Sequence, residues 1–147
     1  MAATVGFWYD SMRPLYIIND HDDKIAHVDM DMVNHPKHYT EHPSGIECID
    51  IVRNMPFSLG AAVKYAWRAG YKDDLSQDLN KCIWYINDCI DHDISYQLTT
   101  AEKTGVETWI QHESNTYRLN IVSGLTLLKN GYGYARSNCQ NWLNSIQ

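Results

Sequence analysis

From Leu75 to Ile94 the chain reads "LSQDLNKCIWYINDCIDHDI", and Leu75, Leu79, Cys82, Ile83, Ile86, Ile90 and Ile94 fall on one stripe. Apolar residues recurring every three or four positions define an α-helix with one buried face. The stripe persists for about five turns, too long for a strand. Asp74, followed by Gln77, reads as a capping-box variant at its start. Such a helix needs a partner to cover its stripe.

The preceding segment supplies one. Leu59, Ala62, Val63, Ala66 and Trp67 repeat at i, i+3, i+4, i+7 and i+8, with Ser58 as N-cap and Gly70 as C′ residue. The short link "GYKD" makes the two helices antiparallel neighbours. A further helix is expected over residues 45–55, where Ile46, Ile49, Val52 and Met55 recur every three residues and Pro56 ends the run. The expected fold class is therefore mostly α: a small helical bundle built on an antiparallel helical hairpin, with N- and C-terminal extensions.

Texture divides the chain into an N-terminal extension (1–34), a helical core (35–96) and a C-terminal helical extension (97–147). The first zone has early aromatics ("GFWYD"), a possible short strand ("LYII") and an acidic stretch ("NDHDDKIAHVDMDM"). The last opens on a polar link, "TTAEKTG", and carries weaker amphipathic runs around "YRLNIVSGLTLL" and "CQNWLNSI".

At 147 residues, 44% hydrophobic and 20% charged, the composition is that of one globular domain able to bury a core without staples. A net charge of −6 argues against coating nucleic acid, whereas a local basic patch suffices for a free nucleotide. None of the four cysteines forms a CxxC pair. Cys82 and Cys89, roughly 10 Å apart on one helix, cannot join as a disulfide. Buried reduced thiols in a cytoplasmic protein are expected. "MAATVGFWYDSMRP" lacks the pattern of a secretory signal, and no run reaches membrane-spanning length.

Three stretches carry candidate chemistry. In the hairpin, Arg68 and Lys72 should approach Asp78 and Lys81. Lys64, Arg68 and Lys81 are candidates to hold phosphate oxygens, and Glu47, Asp50 and Asp78 to hold a divalent cation or position a hydroxyl. An ordinary salt-bridged helix surface accounts for the same pattern. In "NHPKHYTEHPSGIEC" the spacing of His35, His38, His42 and Cys48 fits no standard zinc motif. It reads instead as a Pro-punctuated loop dropping His38 and Tyr39 over the core, to meet a base or phosphate or simply as a packed lid. "NGYGYARS" lacks a P-loop setting, no Walker A motif occurs, and a turn with exposed or stacking tyrosines is expected there. Trp67 and Trp84, both in helical segments, read as core or rim packing.

The blocks "HPKHYT", "GIECIDIVRNM", "AAVKYAWRAGYKDD" and "DLNKCIWYINDCI" occur in order from residue 35 to about 92. Together they resemble the SaV-like family of small tailed-phage proteins (domain of unknown function 3310). That family is similar to the conserved region of a phage kinase acting on deoxynucleoside monophosphates without a P-loop. It also includes a protein that triggers a host abortive-infection system. The resemblance implies a phosphorylated-nucleotide site drawn from His38, Tyr39, Glu47, Asp50, Lys64, Arg68, Asp78, Lys81 and Tyr85. On that basis Lys64, Arg68, Asp78 and Lys81 are expected to be catalytic, and His38, Tyr39, Glu47, Asp50 and Tyr85 to bind substrate. The expected cofactor is Mg2+ with a nucleoside triphosphate donor; no resident metal is expected. The expected setting is the host cytoplasm and the expected state a homo-oligomer, with a host protein as a possible partner.

Two rival readings stay open. One is a non-catalytic binder of a nucleotide or host-defence signal, that is, an anti-defence or protein-interaction module. The other is an all-α nucleotide pyrophosphatase-like hydrolase, suggested by the E-x-x-D pair Glu47/Asp50, although the second acidic pair of such enzymes is missing.

Overall fold

A computed structural model of the chain describes residues 33–72 and 74–147, with the backbone of two short strands, β1 (Ile18–Asn19) and β2 (Lys24–Ile25). The strands pair antiparallel, Ile18 opposite Ile25. Of "LYII" only Ile18 is described; the "GFWYD" aromatics and most of the acidic stretch lie outside the described residues. The rest is helical: α1 (Lys37–Thr40), α2 (Cys48–Val52), α3 (Phe57–Arg68), α4 (Leu75–Asp91), α5 (Thr100–His112), α6 (Thr116–Thr126) and α7 (Tyr132–Ser145). The molecule is thus mostly α, a small bundle.

The expected hairpin is α3 and α4. Asp74 caps α4, its carboxylate accepting from the Ser76 and Gln77 N–H groups at 2.8 and 3.3 Å. Gly70 has φ +86°, the left-handed backbone that ends α3 at low cost for a residue without a Cβ. A second hairpin, α6 and α7, packs across the first, with α3 against α6 and α4 against α7. Cys82 and Cys139 meet at this junction, Sγ to Sγ 3.6 Å. The α2 helix lies on α3 and α5.

Several expected boundaries move. The 45–55 helix is shorter, Cys48–Val52, because Gly45 at φ +73° holds the preceding segment in a turn and Arg53–Asn54 form another. Pro56, expected only as a terminator, is the N-cap of α3. Ser58 is not the cap: its hydroxyl donates to the Asp88 carboxylate on α4. The α4 helix stops at Asp91, where Asp93 turns left-handed at φ +50°. "TTAEKTG" is not a link but the start of α5, set by a complete Thr99–Glu102 capping box. Within "NGYGYARS", Asn130 (φ +55°) makes the turn and Tyr132 onward is helical.

The core runs through the crossing of the two hairpins. Trp67 and Trp109 stack at 4.8 Å, both buried, and His42 stacks on Trp109 at 5.2 Å while lying 6.1 Å from Trp67, so the three rings form one compact cluster. Arg118 ties the C-terminal hairpin to the end of α3. It donates through Nε to the Ala66 carbonyl at 3.2 Å and through Nη2 to the Ala69 carbonyl. These are carbonyls that a helix end leaves without an intrahelical partner. Arg118 also donates to Glu113 at 2.9 Å, and Glu113 accepts from His42 Nε2 at 2.8 Å. All four cysteines are free and buried, as expected. Among the described residues no helix is long and apolar enough to cross a membrane.

Candidate functional site

The hairpin register decides where the charges go. Lys64 and Arg68 stand one turn apart on α3, and Lys81 and Tyr85 one turn apart on α4. Tyr65, between the two lysines in space, becomes the common neighbour. Lys64 Nζ lies 4.8 Å from its ring centroid, Arg68 Cζ 4.8 Å and Lys81 Nζ 5.4 Å. Each is within cation–π range. The ring also stacks on Tyr85, centroids 5.8 Å apart and planes 10° from parallel.

Arg68 is 7% exposed, and Asp78 is fully buried against it. Nε and Nη2 of Arg68 donate to Asp78 Oδ1 at 3.2 and 2.9 Å, and Nη1 reaches the Tyr39 hydroxyl at 3.5 Å. Burial disfavours the charged guanidinium, yet the hydrogen bond and charge of Asp78, with Tyr39, raise its pKa above the ordinary value. Asp78 Oδ2 has no hydrogen-bond partner among the described residues. Lys64 is as buried as Arg68. Its charge is felt at the Cys48 thiol, which burial pushes far up and Lys64 draws partly back. Burial also raises the Tyr85 phenol, with help from Tyr65 and Asp88.

Of the nine expected site residues, the structure gathers five around Tyr65: Lys64, Arg68, Lys81, Asp78 and Tyr85. Tyr39 joins through Arg68, with its ring buried. His38 packs against Tyr39 at 4.1 Å and borders a cavity of about 320 Å3 with Trp67 and Tyr71. Glu47 and Asp50 stand apart. Glu47 accepts from His35 Nδ1 at 3.1 Å, and Asp50 borders a different cavity with Asn54 and Glu102. Glu47, Asp50 and Asp78 do not form one group; among the described residues no three His, Cys, Asp or Glu side chains come together to hold a metal ion.

Tyr65 was not among the expected residues, although its place beside Lys64 in "KYAWR" was a usable signal once the hairpin register was drawn. Trp84, expected in core or rim packing, is 62% exposed and touches Tyr85 edge-on at 5.0 Å.

The fold and cluster define a small helical protein whose central hairpin wraps three cations around one tyrosine. Residues 33–87, which include the His38–Tyr39 segment, α3 and most of α4, match the family model described as a protein of unknown function, DUF3310. No curated protein and no solved structure matches the chain significantly.

Proposed function

We propose that this protein binds a phosphorylated nucleotide at the cation cluster and acts as a phage-encoded deoxynucleoside monophosphate kinase without a P-loop, in the host cytoplasm. The observation that carries the reading is the convergence of Lys64, Arg68 and Lys81 on Tyr65 in a chain of net charge −6. Like charges held this close repel, and an arriving phosphate relieves that repulsion while gaining charge-assisted hydrogen bonds.

In the proposed reaction a phosphate oxygen of the monophosphate attacks the γ-phosphorus of a magnesium-bound nucleoside triphosphate. The new P–O bond forms as the bond to the β–γ bridging oxygen breaks. The departing diphosphate keeps that electron pair, and the acceptor becomes a diphosphate. Such transfers depend on positioning and charge stabilisation more than on covalent chemistry. Lys64 and Lys81 supply charge to the phosphate oxygens. Arg68, with two of its donors on Asp78, supplies charge and a fixed geometry. Glu47, which pairs with His35, and Asp50, which borders a separate cavity, stand apart from the cluster, so the donor's magnesium is not assigned to them.

The same commitment of Arg68 to Asp78 favours a second reading, a nucleotide binder without turnover, because fewer donors remain to follow charge into a transition state. Incubating the protein with each deoxynucleoside monophosphate and magnesium ATP, then resolving the nucleotides, separates the two. Diphosphate formed by the wild type and lost in Lys81→Ala supports the kinase. Saturable stabilisation without product supports the binder, with about 2.7 kcal/mol expected at one hundred times the dissociation constant. Neither binding nor product contradicts both.

A further inference from the structure

The cation cluster is one end of a longer feature. From Tyr65 the aromatic path continues to Tyr85, and Tyr85 meets Trp84 edge-on at 5.0 Å and Phe57 edge-on at 5.7 Å. The far end of this path is open: Trp84 is 62% exposed and Phe57 52%. Resting on the phosphate-site reading above, we propose that the base of the bound nucleotide stacks on Trp84, so that the ligand is a nucleoside monophosphate laid along the α3–α4 seam.

The spacing suits that ligand. Lys81 and Trp84 are three residues apart on α4, about 4.5 Å along its axis and on adjoining faces. A phosphate at the Lys81 ammonium and a base on the indole are then separated by one sugar. Lys81 pairs with no carboxylate among the described residues. The edge-on contact with Tyr85 braces the indole without covering it. Tyr39, the other aromatic near Arg68, is buried and has no face to offer a base. The net charge of −6 disfavours a polynucleotide on the same surface, whereas a single phosphate asks for only this local patch.

The test is calorimetric titration of the full chain with dGMP, with 2-deoxyribose 5-phosphate and with pyrophosphate, repeated for Trp84→Ala and Trp84→Phe, alongside light scattering for mass. Because Trp84 is exposed, both variants should fold. The expected result is that dGMP binds more tightly than the sugar phosphate. Trp84→Ala should weaken dGMP on the order of 10- to 100-fold. It should leave the sugar phosphate unchanged, and Trp84→Phe should keep most of the affinity. If sugar phosphate and dGMP bind equally, or Trp84→Ala leaves dGMP binding intact, base stacking on Trp84 is wrong while the phosphate site stands. If none of the three ligands binds, both fall. If Trp84→Ala converts a dimer to a monomer with dGMP affinity unaltered, the surface is an interface between copies and the proposal is overturned.

Discussion

Arg68 presents both Nε and Nη2 to one oxygen of Asp78, Oδ1, while the second carboxylate oxygen has no hydrogen-bond partner among the described residues. Both side chains are out of water. The pair fixes the C-terminal end of α3 against the first turn of α4 and so sets the register that brings Lys64, Tyr65 and Lys81 together. Removing one member of such a pair strands the other charge, at a cost of about 3–5 kcal/mol. Arg68→Met and Asp78→Leu should each lower the unfolding free energy measured by urea titration by that amount. The double variant, which leaves no orphan charge, should recover most of it. Single variants as stable as the wild type would show that the pair does not hold the hairpin.

Glu102 predicts a pH dependence. Burial opposes its ionisation, but the Thr99 N–H, the Tyr96 hydroxyl and the Asn54 amide all donate to the carboxylate, and the net effect is a lowered pKa. A carboxyl with a depressed folded-state pKa stabilises fully above its unfolded value and loses that contribution as pH falls through the folded one. Stability should therefore decline below the ordinary value of 4.5. Urea midpoints for Glu102→Gln should decline less steeply over the same acid range. Parallel curves would remove Glu102 as a source of acid sensitivity.

The thiols should be silent in the folded protein. Burial, with the neighbouring Asp88 charge, pushes Cys89 up to about 11, and the Cys139 contact and burial hold Cys82 well above its ordinary range. A thiol reacts as its thiolate. A disulfide-exchange reagent at pH about 8 should find none of the four cysteines in native protein and all four in denaturant. A thiol that reacts in the native protein as fast as in denaturant would contradict its burial.

Two glycines two residues apart should respond oppositely. A Cβ at Gly131 would fall on the Gly124 carbonyl oxygen, where α6 and the start of α7 approach closely. A Cβ at Gly133 meets open space in the first turn of α7. Gly131→Ala should destabilise by about 1–3 kcal/mol or more. Gly133→Ala should be neutral or stabilise by about 0.4–1 kcal/mol. Thermal melts of the two variants provide the comparison, and equal melting temperatures would contradict the close α6–α7 approach.

The hairpin was legible because its apolar stripes, the Asp74 cap and Gly70 are local signals that agree with one another. Lys64, Arg68 and Lys81 were found for the same reason: each stands at helical spacing beside the stripe. Ser58 misled because its hydroxyl has two physically sensible uses, and the contact with Asp88 thirty residues away decides between them. The α5 start was readable from Thr99 and Glu102. Its first turn is polar, however, and buried Val106 and Trp109 follow only later. The Arg118–Glu113–His42 network had no local signature, since Arg118 finds its partners on α3 and in the α5–α6 link. Tyr65 was passed over because a tyrosine beside a buried lysine has no distinctive spacing until the opposite helix is in place.

The most direct test of the central claim is a crystal structure of the protein soaked with a deoxynucleoside monophosphate. The phosphate should lie within hydrogen-bond distance of Lys81 Nζ, at the edge of the Tyr65 ring and facing Arg68. A phosphate bound away from all three cations, or a saturating soak that leaves the cluster without density, would contradict the nucleotide-site account.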